Sequence, residues 1–232
     1  MFYKNISKAK FISRPNRFIA MIEIDGVSKK CHVKNTGRLR ELLTEGAEVY
    51  VQKSTNPDRK TEYDLICACK GKELYNIDSQ APNIVLGEWL YSGGMFEDVK
   101  LIKPETKYKN SRFDFYVEYG NKKAFVEVKG VTLEKDGVMM FPDAPTERGV
   151  KHIRELIDCV ENGFEGYVVF VAQTEKAKYF TPNKDSHSEF ASILKTASIK
   201  GVNIICLNCY VGADFLRIKG SIPVVIQEEQ ND

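Results

Sequence analysis

Ser111-Arg112-Phe113-Asp114-Phe115-Tyr116-Val117-Glu118 and Ala124-Phe125-Val126-Glu127-Val128-Lys129-Gly130-Val131 are two apolar-rich stretches separated by a Gly120-Asn121 turn signal. Each reads as a short strand. Side chains alternate across a strand, so Glu127 and Lys129 point the same way. Asp114 and Glu127 stand 13 residues apart, a spacing that suits two antiparallel neighbours joined by a short turn. Two carboxylates meeting on neighbouring strands make a hard-oxygen site for Mg²⁺ or Mn²⁺, and the backbone carbonyl of Val128 can complete it. Lys129 would then orient an attacking water or stabilise charge growing on a phosphate. The same three residues could equally form an exposed, salt-bridged strand face. Against that, Phe125, Val126, Val128 and Val131 surround the charges with the residues of a buried strand, where a charge needs a partner or a metal. Asp114, Glu127 and Lys129 are therefore the candidate catalytic set, with Asp114, Glu127 and Val128 as metal ligands.

The flanking segments supply the frame. Ile84 to Tyr91 has a helical apolar pattern ended by Gly93-Gly94, and its Glu88 either lends a third carboxylate through the metal's water shell or is a solvated helix residue. A third apolar run spans Gly137 to Pro142. A strong helix follows, capped by Thr146, with Val150, Ile153, Leu156, Ile157 and Val160 on one face and Gly163 at its end. Tyr167 to Ala172 is apolar enough for a strand covered on both sides. A second amphipathic helix, with Phe190, Ile193, Leu194 and Ala197 inward, stops at Gly201 before a strand over Val202 to Val211. Helix, three strands, helix, strand, helix, strand is the order of a restriction-endonuclease-like mixed-sheet α/β domain, assigned to residues 81–232. Arg148 and Lys151, near the start of the helix capped by Thr146, and Arg112 are candidates for nucleic-acid backbone contact; an ordinary charged helix face is the alternative for the first two.

Residues 1–80 read differently. Phe18 to Ile24 and Val27 to Val33 flank Asp25-Gly26, a strong hairpin signal. A brief helical segment is expected over Thr36 to Leu43, then strands over Ala47 to Lys53, Tyr63 to Lys70 and Glu73 to Asp78. Five short strands in so few residues suit a small OB-like barrel, with a small sandwich as the other possibility. Basic residues crowd the first forty positions, with Phe11, Phe18, Tyr50 and Tyr63 interleaved. Such a face can bind a nucleic-acid strand, or can be the solvated exterior of any barrel. Arg14, Arg17, Lys34, Asn35, Thr36 and Arg38 are its candidate contacts.

A chain of 232 residues with 28% charged and 43% hydrophobic residues is long enough for two modest cores. No apolar run is long enough to cross a bilayer, and Met1 to Asn5 starts no export signal, so a cytoplasmic location is expected. The net charge of +2 does not by itself mark a polyanion partner. The six cysteines lie mostly in apolar runs and read as reduced core thiols, Cys206 and Cys209 facing opposite ways on one strand. His32, His152 and His187 have no zinc-ligand spacing. There is no phosphate-binding glycine loop and no nucleophile elbow. Gln227 to Asp232 read as a frayed polar tail.

Several segments together resemble the sugar fermentation stimulation protein A family: His32-Val33-Lys34-Asn35-Thr36-Gly37, Ser111 to Phe115, Val126 to Leu133, and Phe141-Pro142-Asp143-Ala144-Pro145-Thr146-Glu147-Arg148-Gly149 with Lys151 to Leu156 behind it. The last run is the most specific. One departure precedes Asn35, where family members carry Cys-Pro and this chain has Val33-Lys34. The resemblance implies an N-terminal OB-like domain, a C-terminal nuclease-like domain and DNA binding, and Asp114, Glu127 and Lys129 match the PD-(D/E)xK nuclease pattern. The expected function is therefore a DNA-binding protein, for single or double strands, with Mg²⁺- or Mn²⁺-dependent phosphodiesterase chemistry. The alternatives are a non-catalytic DNA-binding regulator of sugar-utilisation genes that keeps the fold, and a barrel that takes a small sugar or nucleotide; a homodimer is left open.

Overall fold

The computed structural model describes residues 1–226, so the tail from Gln227 to Asp232 lies outside the described residues. The N-terminal half comprises β1 (Ile6–Asn16), β2 (Ile19–Ile24), β3 (Val27–Val33), β4 (Glu48–Lys53), β5 (Tyr63–Lys70) and β6 (Glu73–Asn76). β1 lies antiparallel between β2 and β4, β2 pairs with β3, and β4 with β5. β3 then closes on β5 in parallel, which makes a five-stranded barrel. Asp25 and Gly26 both adopt positive φ (51° and 76°), the backbone that lets a two-residue turn follow the right-handed twist of β2 and β3. Phe11, Ile22, Val33, Val49, Val51 and Leu65 fill the interior.

Three sequence expectations change here. The strand missing from the sequence reading is β1, whose Lys8 and Lys10 point outward while Ala9 and Phe11 point inward. Residues 73–76 do not close the barrel but extend β5 at its edge. Thr36 to Leu43 is not a helix. Leu39 takes a φ of +51°, which no helix interior accepts, and only one turn forms, with Leu42 and Leu43 N–H groups on the Leu39 carbonyl. The apolar spacing arises because Leu39, Leu42 and Leu43 pack into the barrel core as a loop.

The second half runs α1 (Ala81–Tyr91), β7 (Val99–Tyr108), β8 (Ser111–Tyr119), β9 (Lys122–Val131), β10 (Glu134–Lys135), β11 (Val138–Phe141), α2 (Glu147–Glu161), β12 (Glu165–Ala172), β13 (Tyr179–Pro182), α3 (Ser188–Ile199), β14 (Asn203–Val211) and β15 (Leu216–Ile222). The main sheet has the order β15-β14-β12-β9-β8-β7, with β9, β12 and β14 parallel and the other neighbours antiparallel. α2 and α3 cover one face, where Ile153, Leu156 and Leu194 meet Phe170 and Cys206. α1 covers the other, where Leu86 meets Val171, Leu207 and Cys209. β12 is buried on both faces, and the two cysteines of β14 point to opposite sides, as their spacing requires; all six cysteines are free thiols. In the main sheet the three strands between α1 and α2 are β7, β8 and β9. The run 138–141 instead joins β10 and β13 in a separate three-stranded sheet. β7 escapes a sequence reading because it is a mostly exposed edge strand interrupted by Pro104, a residue that edges tolerate. No helix among the described residues is long and apolar enough to cross a membrane.

Polar contacts join the two parts of the chain, those of Gln173 being buried. Gln173 Nε2 donates to Asn76 Oδ1 (2.8 Å) and to the Asp78 carbonyl (3.0 Å), and Asn76 N–H donates to the Gln173 carbonyl (3.0 Å). Lys70 Nζ and Tyr75 OH both donate to Glu134 Oε2. The Arg38 N–H donates to Asp143 Oδ2 (2.8 Å). The result is that the barrel loop 34–38 sits over the C-terminal ends of β9 and β12.

Candidate active site

β8 and β9 stay paired as far as Phe115 opposite Val126 and then part. Phe113 packs on the α2 side of the sheet but Phe115 on the α1 side, so β8 changes face at Asp114. Asp114 lies in the fork. Its Oδ1 accepts from Asn83 Nδ2 of α1 at 2.6 Å, and its Oδ2 accepts from the Val128 N–H at 2.7 Å. Glu127, only 3% exposed, faces α2, where Oε1 accepts from Lys129 Nζ at 2.5 Å and meets His152 Nδ1 at 2.5 Å. Its other oxygen, Oε2, is buried with no hydrogen-bond partner among the described residues.

These features fit a divalent cation. An unpartnered buried carboxylate oxygen costs about 1–3 kcal/mol or more, and a hard cation is one group that removes the cost. In an extended strand a residue's N–H and C=O face the same neighbour; the Val128 N–H is turned toward Asp114, so its carbonyl faces the same fork, beyond the end of the β8–β9 ladder. The charges agree. Burial and then the nearby Glu127 charge push the Asp114 carboxyl up to about 6, against hydrogen bonds from Val128 and Asn83 that oppose the rise. Burial also pushes Glu127 up, but its bond and charge interactions with His152 and Lys129 outweigh that and hold it below the ordinary carboxylate range. One carboxyl is thus held ionised and its neighbour is penalised for ionising until something positive arrives.

This carries a stability consequence. A carboxyl raised from 3.8 to about 6 leaves the metal-free fold unpenalised below pH 4 and progressively penalised as pH rises through 6. At about 1.4 kcal/mol per pKa unit the full penalty is about 3 kcal/mol. Asp114→Asn removes it, at the cost of one acceptor that a flip of the Asn83 amide can offset. In chelator the variant is expected to be more stable than the parent by about 1–2 kcal/mol at pH 7, with no gain below pH 4; urea midpoints across that range check it.

The other candidate residues divide. Arg112, Arg148 and Lys151 line one depression of about 580 Å³ together with Asn110, Glu147 and His152. Arg112 is held by Glu105 at 2.7 Å and Lys151 by the Asn110 carbonyl at 3.1 Å, while Arg148 is exposed with no ion pair among the described residues. His152 links that depression to Glu127. Glu88 lines the groove on the α1 side that reaches Asp114, but its carboxylate pairs with the Met1 ammonium at 2.5 Å. In the barrel, Arg14 is a loop clamp, donating to the carbonyls of Gly37, Arg38, Arg17 and Asn35. Lys34 pairs with the buried Asp78 at 3.1 Å. Asn35 Oδ1 accepts from the Gly37 N–H. Arg17, Thr36 and Arg38 remain exposed. The arginine and lysine at positions 14 and 34 hold the barrel loop together and do not belong to an open basic face.

Residues 80–215 match the family model described as the sugar fermentation stimulation protein RE domain, and residues 12–77 match that of the SfsA N-terminal OB domain. The chain belongs to the sugar fermentation stimulation protein family. Its family relatives include the sugar fermentation stimulation protein homolog of Clostridium beijerinckii, 55% identical over 97% of this chain and 100% of that one. The homolog of Ruminiclostridium cellulolyticum is 54% identical over 97% and 99%. Among solved structures, that of Pyrococcus furiosus SfsA in complex with Ca²⁺ superposes with a TM-score of 0.85 at 27% identity, covering 97% of this chain and 98% of that one.

Two residues that contact the candidate carboxylates of this family member have no role in the sequence reading. Asn83 is a polar residue among the apolar positions that open α1, and His152 sits within the buried stripe of α2, between Gly149, Val150 and Ile153. A polar side chain on an otherwise apolar helix face is the signal that could have found both, since a buried polar group needs a partner. Their partners, Asp114 and Glu127, come from other elements and are visible only once the chain is folded.

Proposed function

We propose that this member of the family cleaves nucleic-acid phosphodiesters with a divalent cation held by Asp114 and Glu127. The observation that carries the reading is the buried, unpartnered Oε2 of Glu127 in the fork beside Asp114, next to a depression edged by Arg112, Arg148 and Lys151. The Ca²⁺ described with the Pyrococcus furiosus relative supports a hard-cation site in the family. A bound Mg²⁺ or Mn²⁺ lowers the pKa of a water and offsets charge growing on the phosphate. Asp114, Glu127 and the Val128 carbonyl would hold it. Asn83 and the Val128 N–H fix the Asp114 carboxylate, and His152 fixes Glu127. The Lys129 ammonium uses one N–H on Glu127 and keeps two for the attacking water or a phosphate oxygen. Arg148 and Lys151 neutralise the backbone of the incoming strand.

Labelled single- and double-stranded DNA incubated with Mg²⁺, Mn²⁺ or chelator tests the reading. Metal-dependent cleavage by the parent and none by Glu127→Gln is expected; retarded but uncut DNA under every condition points instead to a non-catalytic binder. Arg148→Ala and Lys151→Ala are each expected to weaken DNA binding uniformly across sequences. Each should also reduce the slope of log affinity against log salt by about 1, which a salt titration of binding measures.

A further inference from the structure

We propose that the cleft between the barrel and the second domain receives a single unpaired nucleobase from the strand bound at the carboxylates, an inference that rests on the nucleic-acid reading above. The cleft holds about 200 Å³, below the ~300–1,000 Å³ of ordinary small-molecule sites, so it takes one ring system and not a dinucleotide. It lies at the C-terminal ends of the parallel strands β9 and β12, the end where open α/β sheets bind ligands.

Its lining selects the chemistry. Thr36, Ser79, Thr132 and Gln173 offer neutral hydroxyl and amide groups, and Met140 and Phe141 offer an apolar wall. No Lys or Arg lines it and Asp143 does, so a phosphate is repelled while the polar edge and flat face of a base are accommodated. Gln173 commits its amide N–H groups to Asn76 and Asp78, while its Oε1 lies against Gly130 with no donor among the described residues. A Cβ added at Gly130 would meet that oxygen at 2.8 Å, and one at Gly37 would meet Asp143 Oδ2 at 2.7 Å. Both glycines keep side chains out of the cleft's walls. Position supports a base as well. Gly130 follows Lys129 directly, and at about 3.3 Å per residue it stands about 10 Å along β9 from Glu127, within one or two nucleotides of the bond to be cut.

The test uses the whole chain in chelator, with methyl-labelled Thr, Met, Leu and Val, titrated by NMR with adenosine, cytidine, guanosine or thymidine, and separately with glucose and inorganic phosphate. At least one nucleoside is expected to give saturable shifts at the methyls of Thr36, Thr132 and Met140, with glucose and phosphate giving none. Thr36→Trp, which fills the exposed mouth, is expected to weaken the nucleoside at least 10-fold, and Thr132→Val about 3- to 10-fold for one lost hydrogen bond. No saturable shift with any nucleoside, an equal or stronger response to glucose, or undiminished binding in Thr36→Trp overturns the proposal. Because neither metal nor cleavage enters this measurement, its failure is distinct from failure of the catalytic reading, which appears as uncut DNA.

Discussion

Lys129→Met is expected to destabilise the metal-free protein by about 3 kcal/mol at pH 7, among the largest single-residue costs available outside the core. Removing one partner of a buried ion pair leaves the other charge uncompensated, at a typical cost of ~3–5 kcal/mol. The Glu127 side chain is 4% exposed and that of Lys129 14%, so solvent screens the pair little. In the parent, Glu127 is held below the ordinary range, so it contributes stability above that range and loses it as pH falls. In the variant only His152 is left to oppose burial, so the carboxyl rises from its position in the parent, and the penalty is largest at neutral pH and fades as pH falls and Glu127 takes up a proton. Urea midpoints at pH 7 and at lower pH read the difference. Glu127→Gln combined with Lys129→Met is expected to recover about 2 kcal/mol relative to the sum of the single changes, within the usual range for groups in contact. Additive losses at all pH values would mean that the two side chains do not act as a charge pair.

Glu127→Gln is expected to have the largest effect on activity. It keeps the shape of the side chain but removes the charge and one of the two oxygens that a hard cation requires. Mn²⁺ at 100 times its Kd raises the stability of a protein it binds by about 2.7 kcal/mol. That rise, read as an upward shift in Tm, is expected in the parent and absent in the variant. Cleavage is expected to fall at least about 100-fold, the scale on which losing a single group that stabilises transition-state charge is felt. His152→Phe, which keeps a ring against Phe113 but cannot hydrogen-bond Glu127, is expected to fall between the two, since partners that orient metal ligands are typically worth ~10- to 100-fold in affinity.

Much of the geometry of the candidate site is legible before folding because strands translate spacing into direction. Glu127 and Lys129 share a face by the two-residue period alone, and Asp114 reaches them because Gly120-Asn121 turns β8 onto β9. α2 is legible in the same way, from Thr146, whose hydroxyl accepts the Gly149 N–H, and from a clear apolar stripe. β1 and β7 are not. Both carry lysines on their outer positions, and β7, an edge strand, also carries Pro104, so their patterns look like surface loop. The segment from Thr36 to Leu43 imitates a helix because three leucines fall at helical spacing, whereas their burial is achieved by a loop across the barrel end. Charge alone also misleads. Arg14 and Lys34 look like phosphate ligands in a list of basic residues, yet four carbonyls and two buried aspartates claim them. Asn83 and His152 belong to the site through contacts made across 31 and 25 residues of sequence, which no local pattern encodes.

The most direct measurement is a crystal soaked in Mn²⁺ and examined by anomalous scattering. The expected result is a single strong peak in the β8–β9 fork, about 2.0–2.4 Å from an Asp114 oxygen, Glu127 Oε2 and the Val128 carbonyl, and its loss in Glu127→Gln. A fork without a peak, with Mn²⁺ found instead at the surface group of Glu147, His187 and Glu189, would contradict the assignment of Asp114 and Glu127 as the metal centre.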